Sequence, residues 1–328
     1  MTSIRRMWLD FRALRYFVCV AEAGSFSKAA ELLHIAQPAL SRQVQKLEEE
    51  LKVQLFVRSK SGVELTDAGL QLIPKANALM RQLSHAADDF RNLSRTVAGS
   101  LSLGLPPATG ELLVAPLMRR CTEEYPEVRL KIVEGFSGAI FERLLNEELT
   151  AVLLHNPVSY KSLTIEPILV EPMFLVGPAA GASSLAPASA TLPMDGLPFI
   201  LPGIEHSSLR MLTEKEFAAA GLALNVRYEV EGLLLIKSMV AAGLGYTLCT
   251  YGAVHQQVMA GLLSAVKLAR AGLPEVQLRL CLAYQTERRE MLALRALREV
   301  IHSEIRTLVD QGKWRGDSQF ATPPEREP

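Results

Sequence analysis

The sequence predicts a multidomain α+β protein with a small helical head, a long connecting helix and a two-lobed α/β module. Three observations predict it. The first sixty residues carry apolar side chains at helical spacing, a long apolar seam follows, and short apolar runs then alternate with helical patterns. A chain of 328 residues is long enough for two or three folded units. We expect the head at 9–66, the linker helix at 67–98, the α/β module at 99–310 and a disordered tail at 311–328.

Charge is unevenly distributed along the chain. Lys plus Arg balance Asp plus Glu at 35 each, but residues 1–60 hold ten cationic side chains against six acidic ones. This block therefore carries a net charge of +4 and the remainder −4. A basic block on a neutral chain favours a polyanionic partner that binds only there.

Cysteine and histidine spacing indicates neither a zinc site nor a disulfide scaffold. The four cysteines form no CxxC pair and the six histidines are dispersed, so we expect buried thiols, no metal and no cofactor. The sequence shows no secretory apolar region and no run near the roughly 20 apolar residues of a membrane helix. We therefore expect a cytoplasmic protein that does not bind membranes.

Capping residues define the first two helices of the head. Asp10 can cap a helix that ends at Gly24, and Ser25 can cap a second, shorter helix. Both helices carry apolar residues at i, i+3, i+4 and i+7, which are Leu14, Phe17, Val18 and Ala21 in the first and Phe26, Ala29, Ala30 and Leu33 in the second. The short second helix needs neighbours to be stable.

A third helix presents a polar face opposite its apolar one. Pro38 suits the first turn, where its missing N–H costs nothing. The inward residues are Leu40, Val44, Leu47 and Leu51. The outward side chains can hydrogen-bond bases or phosphates, and they are Gln37, Ser41, Arg42, Gln45 and Lys46. This arrangement is typical of a helix-turn-helix.

Two short strands, Leu55–Arg58 and Val63–Leu65, are expected around a hairpin loop with Lys60 at its tip, which makes the motif a winged one. The residues expected to contact DNA are Ser27, Gln37, Pro38, Ser41, Arg42, Gln45, Lys46, Arg58 and Lys60. A three-helix bundle that binds nothing is the alternative. It leaves the polar face and the local positive charge unexplained.

The run SFSKAAELLHIAQPALSRQVQKLEEELKVQLFVRSKSGVELTDAG resembles the DNA-binding domain of LysR-type transcriptional regulators, without a break from Leu14 to Gly69. The resemblance implies a dimeric or tetrameric regulator of transcription that binds double-stranded DNA, with RNA polymerase as a candidate partner. It also implies a co-inducer domain like a periplasmic binding protein. Ala36 departs from the family, which often has Ser or Thr there to cap the recognition helix.

The long helix that follows has an apolar seam with alternating spacings of four and three residues, which predicts a coiled coil between two copies of the chain. The proposed seam includes Leu72, Leu79, Leu83, Phe90 and Leu93. A helix packed on its own domain is the alternative, since it also needs an apolar stripe. Pro74 should kink the helix early.

Alternating strands and helices predict parallel sheets in two lobes. The strands expected in lobe I are Leu101–Leu105, Val128–Val133, Ala151–Leu154 and Leu278–Tyr284. Those expected in lobe II are Phe199–Leu201, Val226–Val230 and Tyr246–Cys249. We assign about 99–170 and 270–310 to lobe I and about 171–269 to lobe II, so two crossover segments would form a hinge. The phrases GLPPATGELL and HNP resemble the nitrogen-assimilation branch of the family.

A small polar or anionic metabolite is expected between the lobes, beyond the carboxyl ends of the strands, where helix N-termini converge. Its identity does not follow from the sequence. The residues expected to bind this effector are Thr109, Gly110, Phe136, Ser137, Gly138, Pro202, Gly203, His206 and Gly232. The alternative is that Thr109 and Ser137 only cap helices.

Enzyme classes fit less well. Gly135-Phe136-Ser137-Gly138 resembles the start of a nucleophile elbow, but Ala139 replaces the required glycine. Gly243-Leu244-Gly245 follows a helix and precedes a strand, the reverse of a dinucleotide-binding loop. A periplasmic solute receptor would share the two lobes but would not carry the helix-turn-helix. The sequence thus favours a regulator that is not an enzyme.

Overall fold

The chain divides into two compact units, Met1–Ala87 and Asp88–Pro328. The structure, a computed structural model, describes residues 10–59, 62–91, 97–179, 194, 196–203, 208–268 and 276–317. Among these residues, no helix is long and apolar enough to cross a membrane.

The first unit is a three-helix head followed by a hairpin and a long helix. Its elements are α1 (Phe11–Ala23), α2 (Phe26–Leu32), α3 (Gln37–Leu51), β1 (Phe56–Ser59), β2 (Gly62–Leu65) and α4 (Asp67–Arg91). The predicted caps are confirmed, because the Asp10 side chain accepts from Arg12 N–H, Ser25 accepts from Lys28 N–H and Gly24 ends α1 at φ 61°. The helix boundaries therefore follow from local sequence.

Aromatic packing fixes the hairpin against the helices. The Phe56 ring on β1 lies 5.3 Å from Phe17 and 5.7 Å from Phe26, centroid to centroid. Strand β2 meets the end of α1, where Val63 N–H donates to the Gly24 carbonyl at 3.1 Å. A Cβ on Gly62 would lie 2.5 Å from that carbonyl oxygen, so glycine is required there. The wing is thus an integral part of the head.

The second unit contains a seven-stranded mixed sheet and a separate parallel pair. Lobe I is built from β3 (Gly99–Leu105), α5 (Pro107–Glu124), β4 (Val128–Glu134), α6 (Ser137–Leu145), β5 (Ala151–His155), β11 (Gln277–Gln285) and α10 (Leu292–Asp310). Strand β3 pairs in parallel with β4 and β5, as predicted. Helix α10 buries one face against this sheet, with Leu297 and Ile301 in the same cluster as Leu103 and Leu282.

Lobe II has a hydrophobic core of its own. Its elements are β7 (Pro198–Leu201), α7 (Ser208–Ala219), β8 (Asn225–Glu229), α8 (Leu233–Ala241), β9 (Thr247–Thr250), α9 (His255–Met259) and β10 (Leu263–Lys267). The edge-on ring pair of Phe199 and Phe217 anchors it at 5.2 Å. Helix α9 and strand β10 were not anticipated from the sequence.

The long strand β6 (Leu163–Pro178) crosses between the lobes. It pairs with β11 from Leu163 to Pro172 and with β9 and β10 from Met173 to Pro178. The predicted lobe boundary is therefore wrong on the return crossing, because Val276 and Leu278 pack in the core of lobe II. The reason is that β11, like β6, is continuous through both lobes.

The predicted disordered tail begins too early. Trp314 is 2% exposed, and Asp317 exchanges two backbone hydrogen bonds with Val170 on β6 at 3.1 and 2.8 Å. Burial of the indole offsets the cost of ordering this short segment. Residues 318–328 lie outside the described residues.

Candidate nucleic-acid interface and ligand cleft

Helix α3 separates an apolar and a polar face, as the sequence predicts. Leu40, Val44 and Leu47 are 0 to 1% exposed. On the other face, the exposed residues are Gln37, Pro38, Arg42, Gln45 and Lys46, with Ser41 half-buried. The apolar face holds the helix rigidly on the head, so the polar face is presented at a fixed orientation.

The contacts on the polar face are weak and local. Arg42 Nε donates to the Pro38 carbonyl at 3.2 Å, and Lys46 Nζ lies 3.8 Å from Glu50. Ser27 Oγ on α2 approaches Gln37 Oε1 at 3.5 Å, the limit of a hydrogen bond. Exposed contacts of this kind contribute at most about 1 kcal/mol, so a nucleic acid can replace them.

Ala36 caps α3 with no side-chain hydrogen bond, as its departure from Ser or Thr predicts. The turn before it depends on His34, which adopts φ 54° in the left-handed region. The sequence predicts a short break between the two helices at His34, Ile35 and Ala36. The left-handed backbone conformation of His34 lies within this break.

Glu48 connects the recognition helix to the wing, a role that sequence reasoning missed. Its Oε1 accepts from Leu55 N–H at 2.7 Å and from Phe56 N–H at 3.2 Å. From the sequence it was one of three consecutive acids in a basic block, so only the fold reveals its role. Strand β1 includes Arg58, whose side chain lies outside the described part of the structure, as does Lys60.

The expected dimer seam has two parts. Leu72 packs against the core of the head, beside the fully buried Ala76. Leu72 is therefore an intradomain contact, because α4 begins on the head and its first turns cover that core. Leu79 and Leu83 are 46% and 52% exposed. The side chains of Phe90 and Leu93 lie outside the described residues.

A cleft of about 100 Å³ lies in the second unit where the strands of both lobes end. Its lining is mainly apolar, with Pro107, Ala108, Leu209, Leu233 and Ile236 among the contributors. The hydrogen-bonding side chains in the lining are Ser137, His155, Thr247 and Thr250. The cleft therefore suits a small molecule with an apolar body and few polar groups.

Of the residues expected to bind the effector, Phe136, Ser137 and Pro202 line the cleft. Ser137 is the first residue of α6 and forms no capping bond, because the N-cap is Phe136. The capping alternative is thus wrong for Ser137. His206 lies outside the described residues.

The other five expected residues, Thr109, Gly110, Gly138, Gly203 and Gly232, are not among the described lining residues. Helix α5 starts at Pro107, and its N-cap is Pro106. This start directs the Thr109 side chain into the protein interior, where the residue is 1% exposed. Gly110 packs on β3, where a Cβ would lie 2.7 Å from Leu105 Cδ1. Neither residue therefore faces the cleft, and Thr109 is not a helix cap.

His155 enters the cleft at the end of β5, held by a buried carboxylate. Its Nε2 lies 2.7 Å from Glu171 Oε1, and Trp314 Nε1 donates to Glu171 Oε2 at 2.7 Å. Glu171 is 1% exposed and requires both donors. Sequence analysis assigned His155 no role in effector binding, although its place at a strand end was a usable signal.

A partly buried ion pair connects the lobes beside the cleft. Lys237 Nζ on α8 lies 2.5 Å from Glu111 Oε2 on α5, and Lys237 is 5% exposed. The neighbouring Cys249 lines the cleft, and its burial raises the pKa of the thiol to about 12, so it stays neutral.

Comparison with known proteins decides the family. Residues 11–70 match the bacterial regulatory helix-turn-helix protein, lysR family, and residues 94–306 match the LysR substrate binding domain. The chain is a LysR-type transcriptional regulator. It is a DNA-binding protein with the family's substrate-binding domain, as the resemblance of its first seventy residues indicated.

Relatives extend the match over nearly the whole LysR-type chain. The HTH-type transcriptional regulator BbuR of Bordetella bronchiseptica is 34% identical over 94% of each chain. The nitrogen assimilation regulatory protein nac of Escherichia coli is 30% identical over 93% of this chain and 99% of its own. The similarity to this nitrogen assimilation regulatory protein therefore extends over 93% of the present chain.

Solved structures share the fold of this LysR-type regulator. A full-length OxyR variant from Pseudomonas aeruginosa superposes with a TM-score of 0.65 at 25% identity, covering 98% of this chain and 99% of that one. Full-length CbnR complexed with its target DNA gives 0.68 at 20% identity, covering 90% and 100%. At that identity, the second likeness concerns the fold alone.

Proposed function

We propose that this LysR-type regulator binds a dyad-symmetric DNA duplex, with Ser41, Arg42 and Gln45 of α3 reading base edges. The observation that best supports it is the polarity of α3, whose buried face is apolar and whose exposed face carries these hydrogen-bonding groups. Guanidinium and amide side chains match the donor and acceptor pattern of the major groove. The proposal places α3 in that groove.

Phosphate contacts would surround this reading face. Gln37 and Lys46 lie at its two ends and Ser27 approaches from α2, and exposed Pro38 would pack against the sugar–phosphate backbone. Arg58 and Lys60 of the wing would reach the neighbouring backbone or minor groove. These contacts position the head but carry little sequence information.

We further propose that the regulator is a homodimer that can assemble into a tetramer through α4. Leu79 and Leu83 are one helical turn apart on α4 and about half exposed. Burying a large apolar side chain contributes about 1.5 to 3 kcal/mol, so this pair favours a partner helix. Phe90 and Leu93 would continue the same seam.

The cleft would hold the effector that modulates DNA binding. Its walls bury an apolar body, and Ser137, Thr247, Thr250 and His155 offer hydrogen bonds to a single polar or anionic end. A ligand there would touch both lobes and so shift their equilibrium, provided that it binds the closed arrangement more tightly. The proposed location is the cytoplasm, where the DNA is. RNA polymerase is the proposed protein partner.

The experiment selects DNA from a fragmented genome with the purified full-length protein and then titrates the selected duplex with and without a panel of metabolites. We expect a dyad-symmetric site whose affinity changes with one metabolite. Selection of no common sequence would contradict the reading role of α3. A common sequence without any metabolite effect would contradict the effector role of the cleft alone.

A further inference from the structure

The two crossover strands have different surroundings on their two faces. On β11, Leu278 faces the cleft, whereas its neighbours Gln277 and Arg279 are exposed on the opposite face. Their partners on β6 are Pro172 and Val170. A second depression of about 700 Å³ lies on this opposite face and is lined by all four of these residues. We call it the rear groove.

The described lining of the rear groove is basic. It includes Lys267 at the end of β10, Arg279 on β11 and Arg315 in the C-terminal segment. Asp317 is the one acidic residue among its described lining residues, so their net formal charge is +2. Asn156 and Gln277 add neutral hydrogen-bonding groups. The cations therefore outweigh the acid in a concave, mainly polar surface.

The C-terminal segment forms one fixed wall of the rear groove. Asp317 is hydrogen-bonded to Val170 through both backbone groups, and Trp314 is anchored on Glu171. Gly316 presses against β6 so closely that a Cβ would lie 2.8 Å from the Val170 carbonyl oxygen. The groove is thus assembled from segments far apart in sequence, and its shape depends on tertiary structure.

The guanidinium group of Arg315 is held in place, and no described carboxylate neutralises it or that of Arg279. Arg315 Cζ lies 3.7 Å above the Tyr251 ring centroid, which fixes its plane by a cation–π contact. Within the described part of the chain, neither Arg279 nor Arg315 forms an ion pair with a carboxylate.

We propose that the rear groove binds a small multivalent anion, a metabolite with two or more carboxylate or phosphoryl groups. Guanidinium groups bind such oxyanions through paired N–H···O bonds. A bound anion would connect β10 of lobe II, crossover strand β11 and the C-terminal segment, and so stabilise one arrangement of the lobes. This site is separate from the cleft and does not depend on the effector proposed there.

Calorimetry of the full-length protein tests the proposal, with inorganic pyrophosphate and citrate as separate probes at fixed ionic strength. We expect the wild type to bind at least one probe, and the better probe distinguishes phosphoryl from carboxylate recognition. Arg279→Gln and Arg315→Gln should each weaken binding about tenfold or more, which corresponds to about 1.4 kcal/mol. Arg129→Gln, an equal charge change at an exposed position on β4, should leave affinity unchanged.

The head also attracts anions, so Arg42→Gln is a second control that should retain the calorimetric signal. Loss of binding in Arg42→Gln with retention in Arg279→Gln would assign the signal to the head and overturn the proposal. A wild type that binds neither probe would overturn it as well. The melting temperature of each variant without ligand checks that it is folded. If Arg315→Gln unfolds, Arg279→Gln still tests the proposal, because Arg279 is exposed.

Discussion

His155 Nε2 lies 2.7 Å from Glu171 Oε1, so a side chain that lines the cleft is fixed by a buried carboxylate on the crossover strand. The carboxylate is in turn held by Trp314 from the C-terminal segment. A ligand that moves the imidazole would therefore act on the crossover strand directly.

Coupling between His155 and Glu171 is the first prediction. His155→Ala should lower the free energy of unfolding by about 1 to 3 kcal/mol, because it leaves a buried carboxylate oxygen without a donor. When His155→Ala is introduced into the Glu171→Gln variant, it should lower the free energy of unfolding by less. A double-mutant cycle from urea unfolding should give a coupling of about 0.5 to 3 kcal/mol. Additive effects would show that the contact contributes no stability.

The C-terminal segment should stabilise the second unit. Trp314→Ala is expected to cost about 3 to 5 kcal/mol through lost packing. Trp314→Phe should cost about 1 to 3 kcal/mol, chiefly because Glu171 loses the indole N–H donor. Urea unfolding measures both. If truncation after residue 310 left stability unchanged, the segment would be the dispensable tail that the sequence first suggested.

Glu166 should make stability depend on acid pH. Burial raises the pKa of Glu166, but the interactions with His302, Tyr284 and Arg298 lower it by more. The resulting pKa is below the ordinary 4.5. His302 Nε2 is 4.0 Å away, too far for a hydrogen bond, so Tyr284 and Arg298 are the donors.

A carboxyl group whose pKa is lower in the folded state stabilises the protein above its unfolded pKa and loses that effect as pH falls through the folded pKa. Glu166→Gln should therefore destabilise the protein by about 1 to 3 kcal/mol at pH 7, and the difference from wild type should shrink below about pH 4.5. Urea midpoints across this range measure it. A difference that does not change with pH would exclude the ionised carboxylate as the cause.

Leu83 tests the assembly. Leu83→Glu should split the dimer, since it places charge in the apolar seam of α4. Leu70→Glu is the matched control, because Leu70 is 57% exposed on the same helix but outside the seam. Sedimentation velocity should show a smaller species only for Leu83→Glu. Wild-type sedimentation of both variants would place the interface elsewhere.

Local signals in the sequence predicted the head well. Asp10, Ser25 and Gly24 act through neighbours within four residues, so their roles could be derived before the fold was known. Thr109 was misplaced because Pro107 starts α5 earlier than expected and turns the hydroxyl away from the cleft. An error of one turn in a helix start reverses which side chains face a ligand.

Contacts between distant residues were beyond prediction. Glu171 is 16 residues from His155 and 143 from Trp314, and only the paired crossover strands bring the three together. Leu72 was assigned to the dimer seam because an apolar stripe looks the same whether it packs within the head or against a second copy. Leu72 and Leu83 follow the same apolar spacing along α4. Only the fold shows that Leu72 packs within the head and that Leu83 is exposed.

The central claim is that the polar face of α3 reads DNA, and Arg42 tests it most directly. Fluorescence anisotropy with the selected duplex should show that Arg42→Ala loses about 1 to 3 kcal/mol of binding free energy. Arg15→Ala removes the same charge from an exposed position on α1 and should stay near wild type. Equal affinity of Arg42→Ala and wild type, or an equal loss in both variants, would contradict the account.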